Sequence, residues 1–187
     1  MIIVGNGPSL KDKKRGDEID SFQTVIRLTE TNIFRTDHAC YNIADHGRKT
    51  DYLIANTYTY KFASNVPKYE TWIYSRPNEL NDSIKVKIYN RLLNYNPVFV
   101  NILTDYWLNY FETIGNSNIT KFRPIPQTGI IGIIISILKL KPYKLTLAGF
   151  DSYWDESMAV RGVHDLITER QLISEISTIY KTELIKF

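Results

Sequence analysis

Three short stretches carry side chains whose types and spacing suit chemistry. The first, Gly5-Asn6-Gly7-Pro8-Ser9, directly follows the apolar run Ile2–Val4. Asn6 offers both a hydrogen-bond donor and an acceptor, between glycines that let the backbone approach a ligand. Main-chain N–H groups in such a turn can also meet a phosphate. The stretch lacks the third glycine of the dinucleotide fingerprint, and by itself it reads also as a tight strand-to-helix turn. The second is Gly149-Phe150-Asp151, which closes an apolar run and so falls at the edge of a sheet. The third is His164-Asp165 followed by Glu169. Asp165 suits the N-cap of a helix, which places His164 just outside its first turn. There the positive end of the helix dipole favours the neutral, proton-accepting imidazole, so His164 reads as a general base or as a capping or core histidine. On the helical wheel Glu169 falls among Leu166, Ile173, Ile176 and Tyr180, and a carboxylate on that apolar face calls for polar partners.

Two other constellations carry less. Asp45, His46 and Asp51 in "DHGRKTD" resemble a ligand set, but no second cluster supplies the remaining ligands, so no metal is assigned. Cys40, the single cysteine, excludes an intramolecular disulfide and a multi-cysteine metal site, and reads as a buried structural thiol. The chain has no P-loop, no G-x-S-x-G and no H-E-x-x-H.

The elements that must position these residues alternate between strand and helix. Strands are predicted at Ile2–Val4, Thr24–Leu28, Tyr52–Ala55, Thr71–Tyr74, Val98–Val100 and Lys144–Ala148. Helical patterns cover 82–95 and 104–114. This alternation predicts one α/β domain over residues 1–187, with a mostly parallel sheet flanked by helices. Residues about 57–120, rich in Tyr and Asn, are read as a cap over the site. The clearest unit is "PIPQTGIIGIIISILKLKPYKLTLAGFD", residues 124–151. Its prolines force extended backbone, Thr128 can cap the following helix, and Gly129 and Gly132 permit close approach. That helix is apolar on all sides and should be buried, with Pro142 ending it. Open α/β sheets bind ligands at the C-terminal strand edge where Gly149-Phe150-Asp151 falls.

Bulk properties narrow the partners. With 23 basic against 20 acidic residues the formal charge is +3, too even to indicate nucleic acid. The one dense basic run, "KDKKR" at 11–15, reads as a solvated face. Met1 leads straight into the first predicted strand with no signal peptide. The longest apolar stretch is about ten residues, short of a membrane span. The expectation is a cytoplasmic protein, with peripheral association to a membrane surface and the oligomeric state left open.

Taken in order along the chain, these pieces resemble the sialyltransferases, both the animal-type enzymes and the single-domain bacterial ones. "VGNGPSL", then "VIRL" and "DHGRKTDYLIAN", are similar to the large sialyl motif. The 124–151 unit resembles the small motif, "SYWD" the third motif and "HDLITE" the very small motif. The resemblance implies a GT-A-like variant of the Rossmann-like fold. It also implies inverting, metal-independent transfer of a sialic acid from a CMP-sugar donor to a glycan acceptor, with no cofactor. Carried over residue by residue, Gly5, Asn6 and Gly7 would line the nucleotide and phosphate site, with Ser9 and Ser152 in supporting places. Thr128 and Gly129 would hold the donor's carboxylate at a helix N-terminus. Phe150 and Asp151 would run along the nucleotide, and Tyr153 would hydrogen-bond the departing phosphate. His164 would take the acceptor's proton, and Glu169 would fix the loop presenting it.

The chain departs from the family pattern at Ser152, where the third motif has histidine, and at Thr29, where the large motif has asparagine. The cysteines of the animal motifs are absent, and the expectation is a form without the stem and membrane anchor of the animal enzymes. Two alternatives stand beside the sialic acid reading. Kdo is also a CMP-activated 2-keto acid sugar, and the motifs do not separate the two donors. A degenerate CMP-binding module would suit Ser152 and Thr29, whereas a pure binder has no need of His164, Tyr153 and Glu169.

Overall fold

The computed structural model describes residues 1–5, 7–28, 42–56, 70–74, 97–100, 128–155 and 166–187. Asn6, Thr29, Cys40, the helical patterns at 82–95 and 104–114, Asp165 and His164 lie outside them. Chain order is β1 (Ile2–Val4), a 3-10 turn (Pro8–Leu10), α1 (Gly16–Asp20), β2 (Val25–Leu28), α2 (Ile43–His46) and β3 (Tyr52–Asn56). It continues with β4 (Glu70–Tyr74), β5 (Pro97–Val100), α3 (Thr128–Leu140), β6 (Lys144–Ala148), α4 (Asp151–Trp154), α5 (Leu166–Ile179) and β7 (Glu183–Lys186).

Among the described residues these seven strands form one sheet in the order β5-β4-β3-β2-β1-β6-β7. Every pairing is parallel, with Ile3 opposite Ile26 on one side and Leu147 on the other. The predicted strands are present within a residue or so at their ends. β7, which sequence reading missed, completes the edge beside β6. Within the span read as a cap, residues 70–74 and 97–100 are strands of the central sheet, and the remainder lies outside the described residues.

A parallel sheet must bury both faces, which is why its central strands read as nearly unbroken apolar runs. Ile3, Ile26, Leu28, Ile54, Leu145 and Leu147 face α3 and α5. Ile2, Val4, Val25 and Ala148 face Leu10 and Ile19, the latter on α1. Strand periodicity alone produces this division, since successive side chains point to opposite faces.

The helix predicted to be apolar all round is α3, and Ile130 through Ile137 are buried. Its six buried isoleucines, Ile130, Ile131, Ile133, Ile134, Ile135 and Ile137, each contribute about 1.5–3 kcal/mol of burial. A charge at Ile133 would break this packing. Ser136 is compatible with the core because its hydroxyl donates to Gly132 O at 2.7 Å. Thr128 is the first residue of α3 itself, not a residue preceding it. The helix stops where Lys141 turns left-handed (φ 46°) and donates its N–H to Ile137 O at 2.9 Å, one residue before Pro142. No helix among the described residues is long and apolar enough to cross a membrane.

Candidate functional site

The chain runs outward from β1 to β5, then returns to place β6 on the other side of β1. Beyond β1 the backbone leads to α1 on one face, and beyond β6 it leads toward α5 on the other. Such a reversal of strand order opens a crevice at the carboxyl ends of the two strands. The two segments that border it are Gly5–Ser9 and Gly149–Tyr153, two of the stretches that the sequence singled out.

They are interlocked by main-chain hydrogen bonds. Gly5 donates its N–H to Ala148 O at 2.7 Å, and Gly7 donates to Gly149 O at 2.8 Å. Ser9 N–H donates to Asp151 Oδ2 at 2.9 Å. Gly149 is left-handed (φ 67°), a conformation that suits glycine and turns the chain out of β6. A Cβ at residue 7 would run into the Asp151 carboxylate and the Gly149 carbonyl. The N–H groups of residues 5, 7 and 9 are therefore engaged within the protein, and Pro8 has none.

Phe150 is 7% exposed, its ring packed between the turn after β1 and the start of α3. Gly129, read from sequence as a point of close approach, approaches this ring: a Cβ there would lie 3.0 Å from Phe150 Cε1. Gly5, Gly7, Ser9, Gly129, Phe150 and Asp151 are thus brought together around one crevice. Thr128 sits beside Gly129 in the first turn of α3.

Tyr153 lies on α4, half-buried against the core under α5, its ring meeting Trp154 edge-on at 4.8 Å and 83°. It borders a shallow groove of about 490 Å³ shared with Tyr143, Ser174, Ser177 and Lys181. Burial raises the Tyr153 phenol above its ordinary value, and the positive charge of Arg170 opposes that rise in part. Glu169, 1% exposed in the first turn of α5, makes polar interactions there. Ile173 and Ile176 are buried on the same helix, as the wheel predicts. α5 begins at Leu166, immediately after Asp165 and two residues after His164.

"DHGRKTD" is held by main-chain groups. Asp45 accepts the N–H groups of Asp12 at 2.9 Å and Lys14 at 2.7 Å. His46 Nδ1 lies 3.1 Å from Asn42 O, and Asp51 accepts Val25 N–H at 2.8 Å. Sequence reading missed Arg27, which is fully buried. Its guanidinium donates to Lys49 O at 2.9 Å and His46 O at 2.7 Å, and lies 3.6 Å from Asp20. "VIRL" and "DHGRK" therefore occur together because one arginine joins them.

Comparison with known proteins gives a consistent result. The family model described as glycosyltransferase family 29 (sialyltransferase) matches residues 2–179. The chain is 26% identical over 213 residues to the Mus musculus CMP-N-acetylneuraminate-beta-galactosamide-alpha-2,3-sialyltransferase 1. That match takes in 98% of this chain and 58% of the mouse protein, so the chain spans little more than half its length. A mammalian sialyltransferase crystallised with Gal-beta-1-3GalNAc-ortho-nitrophenol shares the fold, with a TM-score of 0.56 at 17% identity. The match covers 98% of this chain and 68% of that one. The sialyltransferase CstII from Campylobacter jejuni, in complex with a substrate analogue, cytidine-5'-monophosphate, has a TM-score of 0.59 at 19% identity. Here 99% of this chain and 78% of that one are covered. The arrangement is the Rossmann-like, GT-A-like one of these structures.

Proposed function

Because the chain belongs to glycosyltransferase family 29, the sialyltransferases, we propose that it transfers a sialic acid from a CMP-activated donor to a glycan hydroxyl, with inversion and without a metal. The observation that carries this reading is the hydrogen-bonded meeting of the Gly5–Ser9 and Gly149–Asp151 segments at the point where strand order reverses between β1 and β6. The bacterial relative of the same fold was crystallised with cytidine-5'-monophosphate. In this reading Asn6 contacts the nucleotide at the turn, and the positive N-terminal end of α3 at Thr128 and Gly129 faces the donor's carboxylate.

The reaction is a single displacement. The acceptor oxygen bonds to the anomeric carbon of the sugar as the bond to the phosphate oxygen breaks, and CMP departs. His164 takes the acceptor's proton, which makes that oxygen nucleophilic. Tyr153 donates its O–H to the departing phosphate, charge stabilisation that a metal would otherwise supply. Glu169, in the first turn of the helix that follows His164, steadies the segment presenting the base.

The test is transfer to an acceptor glycan, measured in EDTA for the wild type and for His164→Ala. The wild type is expected to remain active on chelation, and removing the base to cost about 10²–10⁴ in kcat. Complete loss in EDTA would contradict the metal-free step. Undiminished transfer by His164→Ala would show that another group takes the proton.

A further inference from the structure

Phe150 stands between two walls of the crevice. An ideal Cβ at residue 5 would lie 3.1 Å from both Cδ2 and Cε2 of its ring. One at residue 129 would lie 3.0 Å from Cε1 and 3.5 Å from Cδ1, the opposite edge of the same ring. The ring therefore separates the turn after β1 from the first turn of α3, touching both where neither carries a side chain. Its own backbone is fixed on either side. Gly149 O accepts from Gly7, and Asp151 Oδ2 accepts from Ser9. Tyr153 N–H closes the turn onto Phe150 O at 2.9 Å. A ring so gripped moves only together with the turn or the helix.

We infer that Phe150 is a positioning residue, a spacer whose ring sets the gap between the Gly5–Ser9 turn and the N-terminus of α3. The inference rests on reading those two segments as the walls that hold the CMP-sugar. Interiors are close-packed, so a change of ring width is passed to both walls and not absorbed by empty space. A narrower side chain lets them approach, and a Cβ at either wall forces them apart. In both cases the groups facing donor nucleotide and carboxylate lose their relative position. A residue that merely filled the core would affect stability without this local consequence.

The test uses the full chain with Phe150→Leu, Gly129→Ala and the double variant. CMP affinity is measured by calorimetry and amide exchange by mass spectrometry or NMR. Either single substitution is expected to raise the CMP Kd about tenfold, a loss in keeping with a displacement well below an ångström. The double variant should recover most of the Gly129→Ala loss, because leucine has no ring edge at the Cε1 position. In Phe150→Leu, exchange at the Gly5 and Gly7 amides should accelerate more than at Leu53 and Ile54 in β3. A CMP Kd within about twofold of wild type, no recovery in the double variant, or equal acceleration in β3 would each overturn the spacer. If the wild type binds no CMP, the donor reading fails. Exchange at Gly5 and Gly7 then still decides whether the ring spaces turn from helix.

Discussion

Tyr153 shows how a single environment can prepare a side chain for a proposed task. Burial favours the neutral phenol more than the Arg170 charge disfavours it, so the folded-state value is raised. The group therefore keeps its O–H through neutral pH and up to at least its ordinary value near 10. Tyr153→Phe preserves the ring and removes only the hydroxyl. We predict that it lowers kcat by about 10²–10³, the scale of losing one donor to a developing charge, with the donor KM little changed. A rise in KM at constant kcat would place the hydroxyl in ground-state binding instead. No alkaline loss of rate from this phenol should appear between pH 7 and about pH 10. The neighbouring Ser152 stands where the family motif has histidine.

At the scale of elements, the segment joining β1 to α1 depends on one carboxylate. Asp12 (φ 61°) and Lys14 (φ 54°) are both left-handed, a conformation unfavourable to side chains. Asp45, 1% exposed on α2, accepts both of their N–H groups. The hydrogen bond from Lys14 does most to hold the carboxyl below the ordinary carboxylate range, ahead of burial, which opposes it. An acid lowered in the folded state stabilises above its unfolded value near 3.9 and loses that contribution as pH falls through the folded value. Asp45→Asn replaces an acceptor with a donor facing an N–H group, and we predict a loss of about 1–3 kcal/mol at pH 7. Thermal melts should show the gap between wild type and variant narrowing below about pH 4. A gap that stays constant through that range would show that the charge of Asp45 is not what holds the segment.

These elements also show what was legible in the sequence. Ile2–Val4, Val25–Leu28 and Lys144–Ala148 are apolar runs bounded by turn residues, and α3 is apolar on all sides, so each announced itself. β7 did not, because Glu183–Lys186 is a four-residue edge strand whose exposed ends are charged. Arg27 is the one charged residue in the strand "VIRL". Its burial depends on carbonyls about 20 residues away, which no local pattern contains. The Asp45 brace was hidden for the same reason, its partners lying more than 30 residues back along the chain. The glycines of the crevice were legible as points of close approach. What approaches Gly5 and Gly129 was not, since the Phe150 ring arrives from a third element.

At the scale of the whole molecule, the sheet brings together segments more than a hundred residues apart. Strand order cannot be read from local periodicity, yet it is what places the turn after β1 beside the loop after β6. The turn after Val4 and the loop after Ala148 are far apart in sequence and become adjacent only at this reversal. That adjacency supports a CMP-sugar site more strongly than any one motif does. The most direct measurement is CMP released by the full chain from CMP-Neu5Ac, and in parallel from CMP-Kdo, with and without an acceptor glycan. The account predicts acceptor-dependent release from CMP-Neu5Ac, with the sialylated glycan formed in equal amount. Release from CMP-Kdo alone would contradict the assigned donor, and CMP binding with no release from either would contradict transfer itself.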